Sequence, residues 1–550
     1  MNIDIYGNFE FTKSVFFIVF SSFIILLNIK NEKKKINIFS LFFIVILLIS
    51  SIFSLSPFHS FFGSIEKGHS FFLFLNLIIL YNIFVSLDIK SKKNILNFIL
   101  ISSIFPALWG IKEFFSPSFY YDSYIGRAIG SFGSPHYLAS YILLLSPFFF
   151  DKILKEKKYY YTFIFIPLIF CLFLTKSFIA IFAFLFYIFF LFFYEKNKKV
   201  FGFGMIFLII LFIFSIIFFP SKIHSLLSRF FIWESVIKII FSSPKIFFLG
   251  GGNETLNFIF GNFKSPFLYI FENFGYQADR SHNIFLDFFY NFGIGGFLLI
   301  SLVFGFLIKH FERNPYFESL LLFFFFYFFN FPSIVSYLLF IFFMSFISLE
   351  KGGFKKIYKK LTIWKSIGIF GWRTFIKESR KKKTKYIFSF VSKIFIIFYS
   401  IFSIFIVSRF FISEYFFLQN QYKKAIFFFP HPNYFYEINL FNKGKEIEKI
   451  KSPLYFKKKI LNLRNIEENC KEYLTFYTSA EDYFFCGNML EKRGYKKEAI
   501  IYYEKGLKKI PNLWEKNSPY FNNFLIKNTI NGNRFFSEKY SNIKDILEKF

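Results

Sequence analysis

Residues 284–308 read IFLDFFYNFGIGGFLLISLVFGFLI and contain one charged residue, Asp287. A membrane-spanning helix needs about 20 mostly apolar residues, so this run is long enough to cross a bilayer. It follows directly on the polar stretch Asp279-Arg280-Ser281-His282-Asn283, in which Asp279 and Arg280 are expected to form a solvated pair. The junction predicts a membrane helix whose first turn adjoins a polar site at the membrane surface.

The composition of the whole chain is that of a membrane protein. Of its 550 residues, 55% are hydrophobic and 103 are phenylalanine, and the mean hydropathy is +0.46. These values are too apolar for a soluble globular protein. The net charge of +31 reflects lysine as the default polar residue, and no nucleic-acid-binding motif accompanies it. We therefore expect a membrane-embedded chain without a nucleic-acid partner.

Apolar runs of similar length recur along the chain and predict an all-α, polytopic membrane protein of about 12 transmembrane helices. The candidate spans are 14–29, 37–55, 69–87, 95–114, 135–150, 159–174, 177–194, 200–219, 284–308, 316–330, 333–349 and 387–407. The first run lacks the cleavage site of a signal peptide and its lysines follow it, so we interpret it as a span. Residues 1–350 thus form a polytopic membrane domain.

Basic residues concentrate in every second loop, which predicts the orientation of the spans. Lysine and arginine are frequent at 30–35, 90–93, 152–158, 196–199, 309–313 and 351–386. By the positive-inside rule these loops are cytoplasmic, including the densely basic loop 351–386. The 115–134 loop, the large 220–283 loop and everything after the last span at 387–407 then lie outside.

Residues 408–550 contain frequent charges and no further span. Residues 483–511 resemble one tetratricopeptide repeat, with Tyr483, Gly487, Ala499, Tyr503 and Pro511 at the positions of its aromatic, small and terminal residues. A single repeat cannot bury its own apolar face. The sequence therefore predicts an external helical-repeat domain of several stacked helices; a generic helical hairpin is the alternative.

Three elements of the external loops combine residues suited to an anionic ligand. The first, Gly126–Ala139, has a glycine-rich turn, Arg127 and a helix start whose backbone N–H groups can bind anionic oxygen. In the second, Arg229 is followed four residues later by Trp233. The third is the polar stretch at 280–283.

In order and spacing, these elements resemble the O-antigen ligase and polymerase family over about residues 100–350. The blocks that carry the resemblance are Gly130-Ser131-Phe132-Gly133-Ser134-Pro135-His136-Tyr137-Leu138-Ala139, Leu174-Thr175-Lys176-Ser177, Arg229–Trp233 with Pro244 and Gly250–Gly252, and Ser281-His282-Asn283 with Gly293-Ile294-Gly295. His136 stands where the family has an asparagine, and Phe178-Ile179 stand where Arg-Gly usually follows the second block.

The resemblance implies a metal-independent enzyme without cofactors in the inner membrane of a bacterium. Such an enzyme transfers a glycan from a polyprenyl diphosphate carrier to an acceptor hydroxyl at the outer face of the membrane. The acceptor would be a lipid A core, a growing glycan or a protein, and the tetratricopeptide-like region would contact an envelope protein. The external carboxylates Asp122, Glu254, Glu272 and Asp279 form no metal-ligand pattern.

The candidate site residues follow from this chemistry. Arg127 and Arg229 are expected to bind the diphosphate, because arginine stays protonated and binds phosphate groups bidentately. His282 is expected to accept a proton from the acceptor hydroxyl, since the unperturbed pKa of imidazole is near neutral. The candidate supporting residues are Asn283, Trp233 and Asp287.

Each role has a structural alternative. Arg127 and Arg229 could extend to lipid headgroups. His282 or Asn283 could cap the helix that follows. Trp233 could be an anchor at the membrane interface.

Two other functions stay open. A transporter or flippase for lipid-linked glycans predicts ionisable residues inside the spans, and the spans hold few of them. A non-enzymatic envelope scaffold would need far fewer spans to anchor external repeats.

Overall fold

The computed structural model of the chain describes residues 9–27, 38–63, 68–116, 126–193, 220–272, 276–350 and 495–507, with nine further positions between 401 and 490. Within these ranges every regular element is a helix. The predicted all-α class is therefore confirmed. The basic loop 351–386 and most of residues 408–550 lie outside the described residues.

The helices before the polar stretch are α1 (Phe9–Leu27), α2 (Ile38–Ile52), α3 (Pro57–Phe62), α4 (Phe71–Ser86), α5 (Ile89–Ser102), α6 (Ile104–Phe115), α7 (Pro135–Phe150), α8 (Tyr161–Leu174) and α9 (Phe178–Phe193). Those after it are α10 (Pro220–Phe241), α11 (Pro244–Leu249), α12 (Leu256–Phe263), α13 (Leu268–Phe271), α14 (Ile284–Lys309), α15 (Pro315–Tyr327), α16 (Ile334–Glu350) and α17 (Lys496–Leu507). A 3₁₀ turn at Gly130–Phe132 precedes α7, and a π-helical turn at Asp151–Lys155 extends it.

Ten of the twelve predicted spans coincide with these helices; the runs at 200–219 and 387–407 fall on residues that are masked or described only at isolated positions. Among the described residues, three helical segments are long and apolar enough to cross a membrane: Ile89–Phe115, Pro135–Lys155 and Ile284–Lys309. Six shorter apolar helices accompany them: Ser40–Ile52, Phe71–Ser86, Tyr161–Leu174, Phe178–Leu191, Pro315–Tyr327 and Ile334–Ile347. These helices are consistent with a polytopic membrane protein.

The chain divides into two compact units. Unit 1 comprises Met1–Phe212 and Gly295–Ser408, and unit 2 comprises Ile213–Ile294 and Arg409–Phe550. In unit 1, α7 is the central helix, buried on nearly all sides from Pro135 to Phe149, as expected of a helix that is apolar all round. It packs against α8, α9 and α15, while α4 packs against α1 and α16.

Unit 1 has an apolar exterior and a few buried polar groups. Phe98, Phe105 and Phe163 are more than two-thirds exposed, which suits a surface in contact with lipid. Inside the unit, the hydroxyl of Tyr187 donates a 2.7 Å hydrogen bond to the carboxylate of Glu318. Buried polar groups in a membrane protein are satisfied internally in this way.

Unit 2 shows that the long polar stretch is mainly helical rather than an extended loop. The helix α10 packs against α11, α12 and α13. Its buried apolar residues are Ile232, Val236, Ile239 and Ile240. This spacing places them on one face of a helix. The charges of α10 lower its mean hydropathy, but the helical period is present in the sequence.

The described part of the C-terminal region contains α17 and isolated helical positions before it. Ala499 and Tyr503 lie on α17 and are buried. A Cβ atom at Gly487 would lie 2.6 Å from the ring of Tyr503, so the backbone at Gly487 lies directly against that ring. The tetratricopeptide-like arrangement as a whole stays a prediction.

Candidate functional site

The glycine-rich element of unit 1 packs tightly against α6. Gly130 and Gly133 have left-handed backbones, with φ of 57° and 72°. A Cβ atom at Gly130 would lie 2.9 Å from the carbonyl oxygen of Pro106. Only glycine therefore fits the turn that leads into α7.

Arg127 is held at the C-terminal end of α8. Its Nε donates a 2.8 Å hydrogen bond to the carbonyl of Thr175, and the N–H of Ala128 donates to the carbonyl of Leu174 at 3.0 Å. The last carbonyls of a helix lack partners within the helix and attract cations. One N–H group of the Arg127 guanidinium thus holds the loop, and this bond fixes the position of the guanidinium.

The second sequence block lies beside this loop. Nδ1 of His136 and the hydroxyl of Ser177 share a hydrogen bond of 3.1 Å. The ammonium of Lys176 lies 5.5 Å from the ring centroid of Phe114. Unit 1 therefore brings together two blocks that are about 40 residues apart in the chain, as the bond between residues 136 and 177 shows.

A carboxylate that the sequence did not single out for the site lies close to this loop. Glu113 on α6 is 8% exposed, and its Oε1 accepts a 2.8 Å hydrogen bond from Nε1 of Trp109. The signal in the sequence was the spacing of four residues between Trp109 and Glu113, which places both side chains on one face of a helix. Glu113 lies at the end of the apolar run 95–114, so in the sequence it has the appearance of a residue that merely ends a span.

In unit 2, α10 places Arg229 and Trp233 one helical turn apart. Arg229 is half-buried, and desolvation lowers its pKa to about 10, although Tyr276 and Glu272 oppose the shift. It is therefore cationic at neutral pH. The hydroxyl of Ser228 donates a short hydrogen bond to the Glu272 carboxylate. Trp233 packs edge-on against Phe230, with ring centroids 5.0 Å apart.

The two glycine blocks of unit 2 contact each other directly. A Cβ atom at Gly250 would lie 2.4 Å from the carbonyl oxygen of Asn291, and one at Gly293 would lie 2.3 Å from that of Phe248. Both glycines have positive φ, 88° and 64°. The blocks are therefore a backbone contact between the end of α11 and a break within α14, which Gly293 produces.

Arg280 is buried, which corrects the expectation of a solvated pair with Asp279. Its Nη2 lies 3.1 Å from Oε1 of Glu254, and the two side chains are 6% and 4% exposed. The adjacent charge in the sequence suggested Asp279 as partner. The actual partner is 26 residues away and follows the glycine turn, so only the folded chain brings it near.

The segment before α14 is tightly hydrogen-bonded. Oδ1 of Asn283 accepts bonds from the N–H groups of Phe285 and Leu286 at 2.9 and 3.2 Å, so Asn283 is the N-cap of α14. Oδ1 of Asp287 accepts from the N–H and the hydroxyl of Ser281 at 2.8 and 2.7 Å. Asp287 therefore holds Ser281 in place, and its part in the candidate site stays a prediction.

His282 lies between these bonded residues with an unusual backbone. It is half-buried, and its φ is 57°. Left-handed conformations are uncommon for residues with a Cβ atom and cluster at functional sites. The capping role is performed by Asn283. The role of His282 as a base stays a prediction.

Residues 163–301 match the protein-family model described as O-antigen ligase. This segment of the chain is similar to the O-antigen ligase family. The resemblance found in the sequence is thereby confirmed over this range, and the match supports membrane glycan transfer in general. No curated protein and no solved structure matches the chain.

The range that matches the O-antigen ligase model includes most of the candidate site residues. Arg229, Trp233, His282, Asn283 and Asp287 lie inside the matched range, all in unit 2. Arg127 lies outside it, in unit 1.

Among the residues that the structure describes, no group of three or more His, Cys, Asp or Glu side chains could hold a metal ion.

Proposed function

We propose that the chain transfers a glycan from a polyprenyl diphosphate carrier to an acceptor hydroxyl at the outer face of the bacterial inner membrane. The observation that carries the proposal is the O-antigen ligase match over 163–301, which spans the constrained segment around His282. The orientation of the spans and the sparse external arginines support the outer face.

In this reaction, the oxygen of the acceptor hydroxyl attacks the anomeric carbon of the glycan, and His282 removes the proton of that hydroxyl. The bond between that carbon and the diphosphate oxygen breaks, and the polyprenyl diphosphate departs with the bonding electrons. Negative charge therefore develops on the leaving group. Arg127 and Arg229 stabilise this charge, because a guanidinium in a partly desolvated site interacts strongly with phosphate oxygens.

The two arginines differ in how the fold supports them. Arg127 is held at the end of α8 by the carbonyl of Thr175. Arg229 is half-buried on α10, where its pKa of about 10 keeps it charged at neutral pH. If the two arginines only contacted lipid headgroups, glycan transfer would not depend on them. The loss of transfer on their replacement therefore distinguishes diphosphate binding from headgroup contact.

The test is complementation of a deletion strain with full-length variants, with surface glycan resolved on gels. His282→Ala, Arg127→Ala and Arg229→Ala are each expected to abolish or strongly reduce surface glycan. Lys238→Ala is the matched control, because Lys238 is exposed on the same helix as Arg229 and pairs with Glu234. Full-length glycan in a stably expressed His282→Ala protein would refute the catalytic assignment.

The same gels distinguish the acceptors. Loss of a polymerase leaves single repeat units on the acceptor, whereas loss of a ligase leaves none. Loss of a protein glycosylation enzyme changes the mobility of a protein. Loss of a flippase would differ in where the lipid-linked donor accumulates. The donor would accumulate in the inner leaflet of the membrane rather than in the outer leaflet.

We further propose that residues 408–550 contact an envelope protein that presents the acceptor or assembles with the enzyme. The support is the external position predicted for this region and its likeness to a tetratricopeptide repeat. Removal of residues 408–550 from the full chain should reduce surface glycan. One protein that is crosslinked to the full chain in intact cells should no longer be crosslinked to the shortened chain.

A further inference from the structure

The segment that carries His282 is tied to the glycine turn of unit 2. Arg280, two positions earlier, forms the buried ion pair with Glu254. Glu254 follows the turn at Gly250–Gly252, and a backbone N–H of that turn donates to the carbonyl of Tyr290 on α14 at 2.7 Å. The turn thus links the first half of α14 to Arg280 in the polar stretch.

Strain accompanies these links. Glu254 and His282 both have φ of 57°, in the left-handed region. A residue with a side chain keeps this conformation where its surroundings impose it. On one side of His282 is the ion pair of Arg280, and on the other is the N-cap of Asn283. The backbone of His282 is therefore held from both directions.

A buried ion pair is a poor source of stability, because the cost of desolvating two charges offsets their attraction. It can nevertheless fix geometry, because a planar guanidinium binds a carboxylate in few orientations. Resting on the proposed function, we propose that the Arg280–Glu254 pair is a positioning device for catalysis. It holds His282 in the left-handed conformation from which the imidazole accepts the proton of the acceptor hydroxyl.

The decisive variant replaces both partners together, Arg280→Met with Glu254→Leu. Apolar replacement of a whole buried ion pair usually preserves folding, because no unpaired charge is left behind. Initial rates are measured in membranes of the complemented deletion strain, with polyprenyl diphosphate-linked glycan extracted from that strain as the donor. We expect near-normal protein level and thermal stability, an unchanged donor KM, and a kcat lower by about a hundredfold.

Two further variants complete the experiment. Arg280→Lys keeps the charge but loses the planar guanidinium, so kcat should fall with an unchanged donor KM while the protein stays folded. Glu318→Gln is the matched control, since Glu318 is a buried carboxylate of unit 1 that accepts a hydrogen bond from Tyr187. It should keep the wild-type kcat.

Wild-type kcat in a folded double variant, with His282→Ala inactive, would overturn the positioning role and leave the proposed function intact. If His282→Ala also kept the wild-type kcat, both the positioning role of the ion pair and the catalytic role of His282 would be overturned. If the double variant does not accumulate, Arg280→Lys decides by the same measurement: a normal kcat overturns the inference, and a reduced kcat with normal KM supports it.

Discussion

Replacing Gly293 by alanine should destabilise the protein through a backbone collision. Gly293 has φ of 64° and ψ of −163°, a region essentially restricted to glycine, which costs other residues about 1–3 kcal/mol. The new Cβ atom would lie 2.3 Å from the carbonyl oxygen of Phe248, so backbone must move, at a further cost of about 1–3 kcal/mol. The total is about 2–6 kcal/mol, a large fraction of the stability of a typical protein. Thermal unfolding of the detergent-purified full chain should show a lower midpoint by several degrees.

The matched control is Gly305→Ala on the same helix. Nothing lies within 4 Å of the position that its Cβ would take. Alanine is favoured over glycine inside a helix by about 0.5–1 kcal/mol, so this variant should be as stable as the wild type or slightly more stable. Equal midpoints for Gly293→Ala and Gly305→Ala would show that the contact between the glycine blocks does not form, and would refute the reasoning.

Three further outcomes are expected. Asn283→Ala removes the N-cap of α14 and should cost about 0.5–2 kcal/mol in thermal unfolding, whereas Asn283→Asp should restore most of it; equal midpoints would contradict the cap. Arg280→Ala alone leaves the Glu254 carboxylate buried without its cation and should cost about 3–5 kcal/mol, more than the double apolar replacement, as thermal unfolding would show. Since the pKa of Arg229 is about 10, the donor KM should stay constant from about pH 6 to pH 9, and a large rise within that range would argue against Arg229 as the diphosphate ligand.

The burial of Arg280 changes how the polar segment is understood. The sequence suggested an exposed ion pair at the rim of a site, but Arg280 is enclosed with Glu254 and contributes through geometry. His282 stays the candidate base, and its neighbours now have separate tasks. Asn283 caps α14, and Asp287 holds Ser281.

The sequence by itself determined the all-α class and the positions of ten apolar segments that the structure shows as helices. It also determined the order of the blocks that resemble the O-antigen ligase family. Run length and composition are local properties of the chain, so they can be read without a fold. The helical period of α10 was equally local, although its charges obscured it.

Only the tertiary structure decided which distant residues meet. The contact of Gly250 with Asn291, the pairing of Arg280 with Glu254, and the bond from Arg127 to Thr175 all join residues more than 25 positions apart. Such contacts depend on how helices pack and which polar groups that packing buries. Spacing along the chain does not encode them, because burial selects the partner that satisfies a charge, and that partner need not be its neighbour in sequence.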